Sequence, residues 1–179
     1  MCNNKEKINT RTCNCTCSKV IEGVGKDAEI TVNEKGGKQS VTGFAPELID
    51  PWFLKEWYNE DQVISHITDY MIYNSNSCLL QAIYEANLVN SNDDYDAIIR
   101  ISQVLKYGAD RYEPNNWRLI PAESHLRHAL IHYFAYKLGD TQDDHLDHCL
   151  CRLMMCYATN ESEGFNYTSY QKPLEDDLR

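Results

Sequence analysis

Histidines and aspartates are the residues of this sequence whose types and spacing could do chemistry. Five of the six histidines lie between positions 125 and 148. On a helix, His128 and His132 are four residues apart and share one face, where two imidazoles can meet the same cation. His145 and His148 follow beyond a short turn, so two antiparallel helices would bring both polar faces together. Nitrogen and oxygen donors in such a pocket suit Mg²⁺ or Mn²⁺, and the candidates are His125, His128, His132, His145, His148, Asp140, Asp143, Asp144 and Asp147.

The alternative is that these histidines are surface residues, or core imidazoles whose nitrogens bond to backbone and hydroxyl groups. Any one of them taken alone is better explained in this way. The cluster as a whole favours a bound ligand, because ionisable groups on largely apolar helices lose solvation unless something binds them.

A second group of polar residues surrounds Gly108, in the stretch Tyr107–Trp117. A glycine inside a helix costs about 1 kcal/mol relative to alanine, which favours close packing against a neighbour or a ligand. Asp110 and Glu113 are three residues apart and could supply carboxylates, while Arg111 could hold a phosphate. Solvated surface charges explain these residues equally well.

A third candidate is the loop at Gly36 and Gly37, which Lys35 and Lys38 flank. Exposed backbone N–H groups beside two ammonium groups can cradle a phosphate. The full P-loop pattern is absent, because no Ser or Thr follows Lys38 directly. An ordinary exposed turn is therefore the competing interpretation.

The elements that must position these residues are helices, because no strand-length alternation of apolar and polar residues follows Trp52. The sequence predicts an all-α fold, a compact helical bundle preceded by a flexible tail and a short extended segment. Asp93 or Asp94 suits the start of one helix, and Gly139 suits the end of another. The predicted helices cover 52–74 (as one or two helices), 77–89, 94–112, 122–138 and 143–159. The predicted divisions are a flexible Cys-containing tail (1–28), an extended Gly-Gly-Lys loop segment (29–51), a helical domain (52–160) and a polar C-terminal tail (161–179).

The composition fits one compact domain that does not grip nucleic acid. The chain has 179 residues, 42% of them hydrophobic, and a formal net charge of −10. Binding to phosphate backbones needs clustered Lys and Arg, so nucleic acid is not expected as a partner. No apolar run approaches the roughly 20 residues that span a bilayer, and no apolar stretch follows Met1 as in a signal peptide. These features predict a soluble, cytoplasmic protein without membrane contact.

Eight cysteines are many for this length, and in a reducing compartment they are expected to be free thiols. Cys13, Cys15 and Cys17 form a C-x-C-x-C pattern in the predicted tail, a spacing of neither a zinc pair nor a redox pair. A second set falls in predicted helices, where a free thiol most often serves as a small buried hydrophobe. This set is Cys78, Cys149, Cys151 and Cys156.

Taken in order, several of these segments resemble a family found largely in bacteriophages, the dATP/dGTP diphosphohydrolases, which are relatives of the all-α NTP pyrophosphohydrolases. The resemblance covers about 35–51 and 95–158, and residues 52–93 look like an inserted or expanded helical segment. The chain departs from the usual family residues at Asp110 and Arg152, among other positions. The matching pieces are Gly36-Gly37-Lys38-Gln39-Ser40, Leu48-Ile49-Asp50-Pro51, Lys106-Tyr107-Gly108-Ala109-Asp110-Arg111-Tyr112, Asn116-Trp117, Arg127-His128, Gly139-Asp140 and His145-Leu146-Asp147-His148.

The resemblance implies hydrolysis of a purine deoxynucleoside triphosphate to monophosphate and pyrophosphate, with Mg²⁺ or Mn²⁺ lowering the pKa of the attacking water. It implies the host cytoplasm as location if the chain is viral, and it is compatible with a homo-oligomer. The implied residues are Asp140, Asp144, His145 and His148 at the metal, His128, Asp110 and Glu113 in catalysis, Lys38, Arg111 and Arg127 at the phosphates, and Asn116 and Trp117 at the base.

Two other functions remain open at this point. A catalytically silent protein that binds or sequesters a nucleotide would keep the phosphate and base residues and need no metal cluster. A helical interaction protein would use its acidic surface, and no pocket, to meet a partner.

Overall fold

The structure is a computed structural model, and it describes residues 28–91 and 93–161. Its elements in chain order are β1 (Ile30–Val32), β2 (Lys38–Ser40), a first 3₁₀ helix (Pro46–Leu48), α1 (Pro51–Trp57), α2 (Gln62–Tyr73), α3 (Asn76–Leu88), α4 (Asp94–Arg111), a second 3₁₀ helix (Asn116–Leu119), α5 (Ala122–Leu138) and α6 (His145–Glu161). These helices confirm the predicted all-α fold. The predicted tails lie outside the described residues, except for positions 28 and 161. Cys13, Cys15 and Cys17 also lie outside the described residues.

The core forms around α5 and α6, which pack antiparallel. The pairing of His132 with His145 and of His125 with Arg152 sets this direction. Ten residues of α5 are buried, including Leu126 and Leu130, which places this helix at the centre of the bundle. Helix α6 also packs against α3 and α4, and α2 packs against α1 and α3.

Helix ends follow the capping residues of the sequence. The Asp93 side chain accepts a hydrogen bond from the backbone N–H of Tyr95 at the start of α4, as predicted. Gly139 ends α5 with a φ of 75°, a left-handed conformation that glycine adopts without strain. Asp61 caps α2 by accepting from the N–H of Ile64, which divides the predicted 52–74 stretch into two helices.

Two sequence expectations about packing have different outcomes. The spacing of Ile98, Ile101 and Leu105 predicts that they share one apolar stripe of α4. This prediction is wrong at Ile98, which is 66% exposed, because Ala97 and Ile101 form the buried face. The prediction for the helical cysteines is confirmed for the buried thiols, and burial raises the pKa of Cys151 and Cys156 to about 12. These thiols therefore act as packing groups.

The segment predicted as an extended loop contains an antiparallel hairpin. Strand β1 pairs with β2 in the register Ile30 with Ser40 and Val32 with Lys38. The turn brings Gly37 so close to the backbone of the second 3₁₀ helix that an added Cβ would lie 2.8 Å from the Leu119 carbonyl oxygen. The hairpin is therefore docked beside that helix, and Lys38 has a fixed place.

No helix in the part of the chain that the structure describes is long and apolar enough to cross a bilayer.

Candidate active site

A cavity of about 560 Å³ lies where the hairpin, α4, the second 3₁₀ helix, α5 and α6 meet. Lys38 and Ser40 reach it from β2, and Asn116 and Trp117 reach it from the second 3₁₀ helix. Gly108 lines the wall formed by α4, where an added Cβ would meet nothing within 4 Å. Of the two predicted partners of Gly108, a neighbour or a ligand, no described neighbour packs against this position, and the space that its missing side chain leaves belongs to the cavity.

The cavity concentrates positive charge on an acidic chain. Five cationic side chains line it, against the two carboxylates Glu113 and Asp143. The chain as a whole has a formal charge of −10. Clustered cations in a cleft attract anionic ligands. The five are Lys38, Lys106, Arg111, Arg118 and Arg152.

Asn116 locks the hairpin to the cavity wall through both ends of its side-chain amide. Its oxygen accepts from the backbone N–H of Lys38 at 3.0 Å, and its nitrogen donates to the Lys38 carbonyl oxygen at 2.9 Å. The geometry therefore gives Asn116 a positioning role toward Lys38. The contact of Asn116 with a base stays a prediction.

Three imidazoles converge where α5 meets the start of α6. His132 Nδ1 lies 3.1 Å from His145 Nδ1, so one ring donates a hydrogen bond to the other. The rings of His132 and His148 stack with their centroids 4.8 Å apart. Each histidine of α6 has an aspartate beside it, at 3.5 Å from His145 Nε2 to Asp140 Oδ1 and 3.3 Å from His148 Nε2 to Asp143 Oδ1.

Burial keeps the α5 imidazoles uncharged. Burial first, and the charge of Arg152 second, lower the pKa of His125 to about 3 and that of His128 to about 4. The pKa of His132 lies well below its usual value, through burial and then the neighbouring His148. Burial alone would raise the pKa of Asp143, but the contact with His148 outweighs it and lowers that pKa.

His128 bridges α5 and the hairpin. Its Nδ1 lies 2.8 Å from the Ser124 carbonyl oxygen, and its Nε2 lies 3.3 Å from the Ser40 carbonyl oxygen. A neutral imidazole has one N–H, so it donates to only one of these two acceptors at a time.

His125 connects Trp117 to Arg152. Its Nε2 lies 2.9 Å from the Trp117 carbonyl oxygen, and its Nδ1 lies 3.2 Å from Nη1 of Arg152. An arginine cannot accept, so Nδ1 is the acceptor and Nε2 carries the proton.

The predicted metal group does not converge on one point. Across 28–91 and 93–161, no three His, Cys, Asp or Glu side chains are arranged to hold one ion. His145 Nε2 is buried without a hydrogen-bond partner. Among the described side chains, Asp140 is the one potential second metal ligand beside it. Asp144 is exposed and His148 pairs with Asp143. The arrangement does not fit a Mg²⁺ site, which requires near-octahedral oxygen ligands.

The matched family now bears on this geometry. Residues 81–167 match the family model described as dATP/dGTP diphosphohydrolase, N-terminal. This part of the chain is dATP/dGTP diphosphohydrolase-like. The match confirms the resemblance stated from the motifs, and no curated protein and no solved structure matches the chain.

The diphosphohydrolase-like stretch contains most of the cavity wall, because it includes α4, the second 3₁₀ helix, α5 and α6. The hairpin that carries Lys38 and Ser40 lies before it. The predicted site residues that line the cavity are Lys38, Arg111, Glu113, Asn116, Trp117, His128 and His148.

The remaining predicted residues point elsewhere. Arg127 donates to the Phe44 carbonyl oxygen and lies 3.3 Å from Glu47, which turns it toward the first 3₁₀ helix and away from the cavity. Asp110 is exposed and pairs with Lys106 one helical turn earlier. His145 and Asp140 lie behind His132, buried and outside the cavity lining.

The sequence assigned no role to Arg152, which lines the cavity, and it gave His132 and Asp143, which also line it, only as candidate metal ligands. The signal for Arg152 was present in the sequence. It is the one charged residue in the stretch from Cys149 to Cys156, which is otherwise apolar. A charge in such a helix costs solvation unless it has a purpose.

Proposed function

We propose that this protein hydrolyses dATP and dGTP to the monophosphate and pyrophosphate in the cation-lined cavity. The observation that carries the proposal is the excess of cations in a cavity whose wall lies mostly within the diphosphohydrolase-like stretch. A triphosphate supplies the negative charge that such a cavity attracts.

Lys38 and Arg111 are the residues we assign to the phosphates. The Lys38 ammonium lies 3.8 Å from the exposed carboxylate of Glu113 at the rim, a pair that a triphosphate can replace at little cost. Three aromatic side chains that line the cavity, Tyr107, Tyr112 and Trp117, offer surfaces for the purine.

We assign the proton transfer from the attacking water to His148. The cavity is lined by His148 and by Asp143, whose carboxylate orients the imidazole from 3.3 Å. An imidazole with a carboxylate behind it is suited to take a proton from an attacking water. His128, which the resemblance places in catalysis, lines the same cavity and is the second candidate.

We propose that a divalent cation enters the cavity bound to the substrate triphosphate. Mg²⁺ or Mn²⁺ neutralises triphosphate charge when it is bound. We assign no residue of this chain as its ligand, because the described side chains do not fit one.

The test is incubation with each deoxynucleoside triphosphate in Mg²⁺ or Mn²⁺, followed by chromatography of the products. We expect dAMP or dGMP together with pyrophosphate. His148→Ala should lower kcat by about 100-fold or more, since a positioned acid or base contributes that much. His66→Gln on α2, away from the cavity, is the matched control and should keep the wild-type rate. Equal rates in both variants would refute the role of His148.

A second candidate function is nucleotide binding without turnover. The absence of a three-residue ligand group in the described part of the chain favours it. Saturable binding of dATP or dGTP, with no monophosphate formed under any metal condition, would select this function and eliminate hydrolysis.

A further inference from the structure

Arg152 carries a partly buried positive charge that no carboxylate in the described part of the chain balances. Its guanidinium lines the cavity, and its hydrogen bond in the described part of the chain goes to a neutral imidazole, His125 Nδ1. No Asp or Glu among residues 28–91 and 93–161 lies within ion-pair distance of it. Burial lowers the pKa of the Arg152 guanidinium, which shows that the charge loses solvation in this place.

Two of the other cations at the cavity differ from Arg152 in having a carboxylate beside them, and Arg111 donates to the Tyr107 hydroxyl. Lys106 pairs with Asp110, and Lys38 faces Glu113. The guanidinium of Arg118 lies over the Trp117 ring at 4.2 Å. Arg152 therefore provides a desolvated cation whose anionic partner is supplied by none of the described residues.

His125 fixes the direction of this cation. Its Nε2 donates to the Trp117 carbonyl oxygen, so its Nδ1 lone pair faces Arg152 and takes one of the five guanidinium N–H groups. The ring is fully buried in α5 and cannot turn without losing both bonds. One edge of the guanidinium is thereby occupied, and the remaining donors are left for a ligand in the cavity.

We propose that Arg152 is an anion-binding residue of the cavity, selective for a phosphoryl group, and that His125 is the positioning residue that aims it. A guanidinium presents planar, paired donors that match phosphate oxygens. The proposal rests on the proposed function for the identity of the nucleotide, but its ligand class, a polyphosphate anion, follows from Arg152 itself.

The charge of Arg152 also reaches the groups that would contact such an anion. It is among the causes that lower the pKa of His125, His128 and His132. Of these imidazoles, His128 and His132 line the cavity together with the Arg152 guanidinium, and His125 lies outside its lining. A phosphoryl group there meets one fixed positive charge and hydrogen-bonding groups that do not repel it.

The experiment is calorimetric titration of the full-length protein with inorganic tripolyphosphate in the presence of a chelator. We expect Arg152→Gln to weaken binding at least tenfold and Arg152→Lys to fall between it and wild type. Lys137→Gln removes one exposed charge outside the cavity and should change affinity less than twofold. Wild-type affinity in Arg152→Gln, or no binding of tripolyphosphate by wild type, overturns the proposal.

The positioning role of His125 has a separate readout. His125→Phe removes the acceptor for Arg152 and should weaken tripolyphosphate binding several-fold. His125→Asn restores a side-chain oxygen at that end and should recover part of the affinity. If Phe and Asn bind equally, the role is refuted.

A measurement on wild type covers the case in which Arg152→Gln does not fold. Tripolyphosphate should slow the modification of Arg152 by a dicarbonyl reagent, measured by mass spectrometry, and an unchanged rate contradicts the proposal.

The two proposals fail in different ways. Loss of tripolyphosphate binding in Arg152→Gln without hydrolysis of any nucleotide by wild type sustains Arg152 and rejects the hydrolase. Hydrolysis by Arg152→Gln with an unchanged KM and an unchanged tripolyphosphate affinity sustains the hydrolase and rejects the role of Arg152.

Discussion

Substitutions at Gly108 test the stability of α4 and the binding of substrate in the cavity separately. Gly108 lies in the last turn of α4, and no heavy atom lies within 4 Å of the position that a Cβ would take. No described neighbour therefore requires a glycine here. The residue lines the cavity, so any side chain introduced at this position is added to the cavity wall.

The expected change in stability follows from the helix. Alanine in place of a helical glycine gains about 0.5–1 kcal/mol, because the unfolded chain loses backbone freedom. We expect Gly108→Ala to raise the free energy of unfolding by about this amount in urea denaturation. The midpoint of thermal unfolding should rise by about 1–4 °C for a chain of this size.

The expected change in function has the opposite sign. Gly108→Leu keeps a good helix former but places a branched side chain in the cavity, so KM for dATP or dGTP should rise at least tenfold while the protein stays folded. Ser102→Leu puts the same side chain on an exposed position of α4 outside the cavity and should leave KM unchanged. A Gly108→Leu protein with wild-type KM and kcat would refute the assignment of this cavity to the substrate.

Three further predictions concern the hairpin and the buried imidazoles. Asn116→Ala removes two hydrogen bonds to the hairpin backbone and should cost about 2 kcal/mol in the free energy of unfolding, together with a raised KM. Gly37→Ala places a methyl group 2.8 Å from a backbone carbonyl oxygen and should cost about 1–3 kcal/mol, measured by the same urea denaturation. The pKa values of His125 and His128 fall from 6.5 to about 3 and about 4 on folding, so the unfolded chain binds protons that the folded chain does not. The contribution of these two groups to stability is thus complete above about pH 6.5, and each should remove about 1.4 kcal/mol per pH unit between pH 6.5 and its folded pKa. His128→Gln should reduce that slope, and an equal slope in the variant would contradict this account.

The sequence predicted the helices well because their signals are local. The limits of α5 and its end at Gly139 follow from apolar periodicity and one glycine, both readable within about twenty residues. The segment was predicted as extended, but the strand pairing was not, because both strands are only three residues long and β1 is exposed. What holds the hairpin is Asn116, which bonds to Lys38 across 78 positions, and no local pattern encodes such a contact.

The sequence predicted which residue types form the candidate site, but not the direction in which each side chain points. His128 and His132 are four residues apart on one helix face, yet they are separated by about 6 Å along the axis and by about 40° around it. That offset turns His128 toward Ser40 and His132 toward His145. Arg127 differs from His128 by about 100° and therefore faces another element. Which neighbour each side chain meets depends on the packing of α5 against α6 and the hairpin.

The neutral imidazoles and the Arg152 guanidinium together suit the cavity to bind an anionic ligand. Burial is the first cause of the low pKa of His128, and the charge of Arg152 is the second. A phosphoryl group bound at Arg152 opposes that second cause and leaves the first in place, so the proton affinity of His128 rises only when the anion is present. Without ligand, His128 stays neutral and does not repel its neighbours. With an anion bound, the same residue is protonated more readily, and a protonated imidazole can donate its proton to a leaving pyrophosphate.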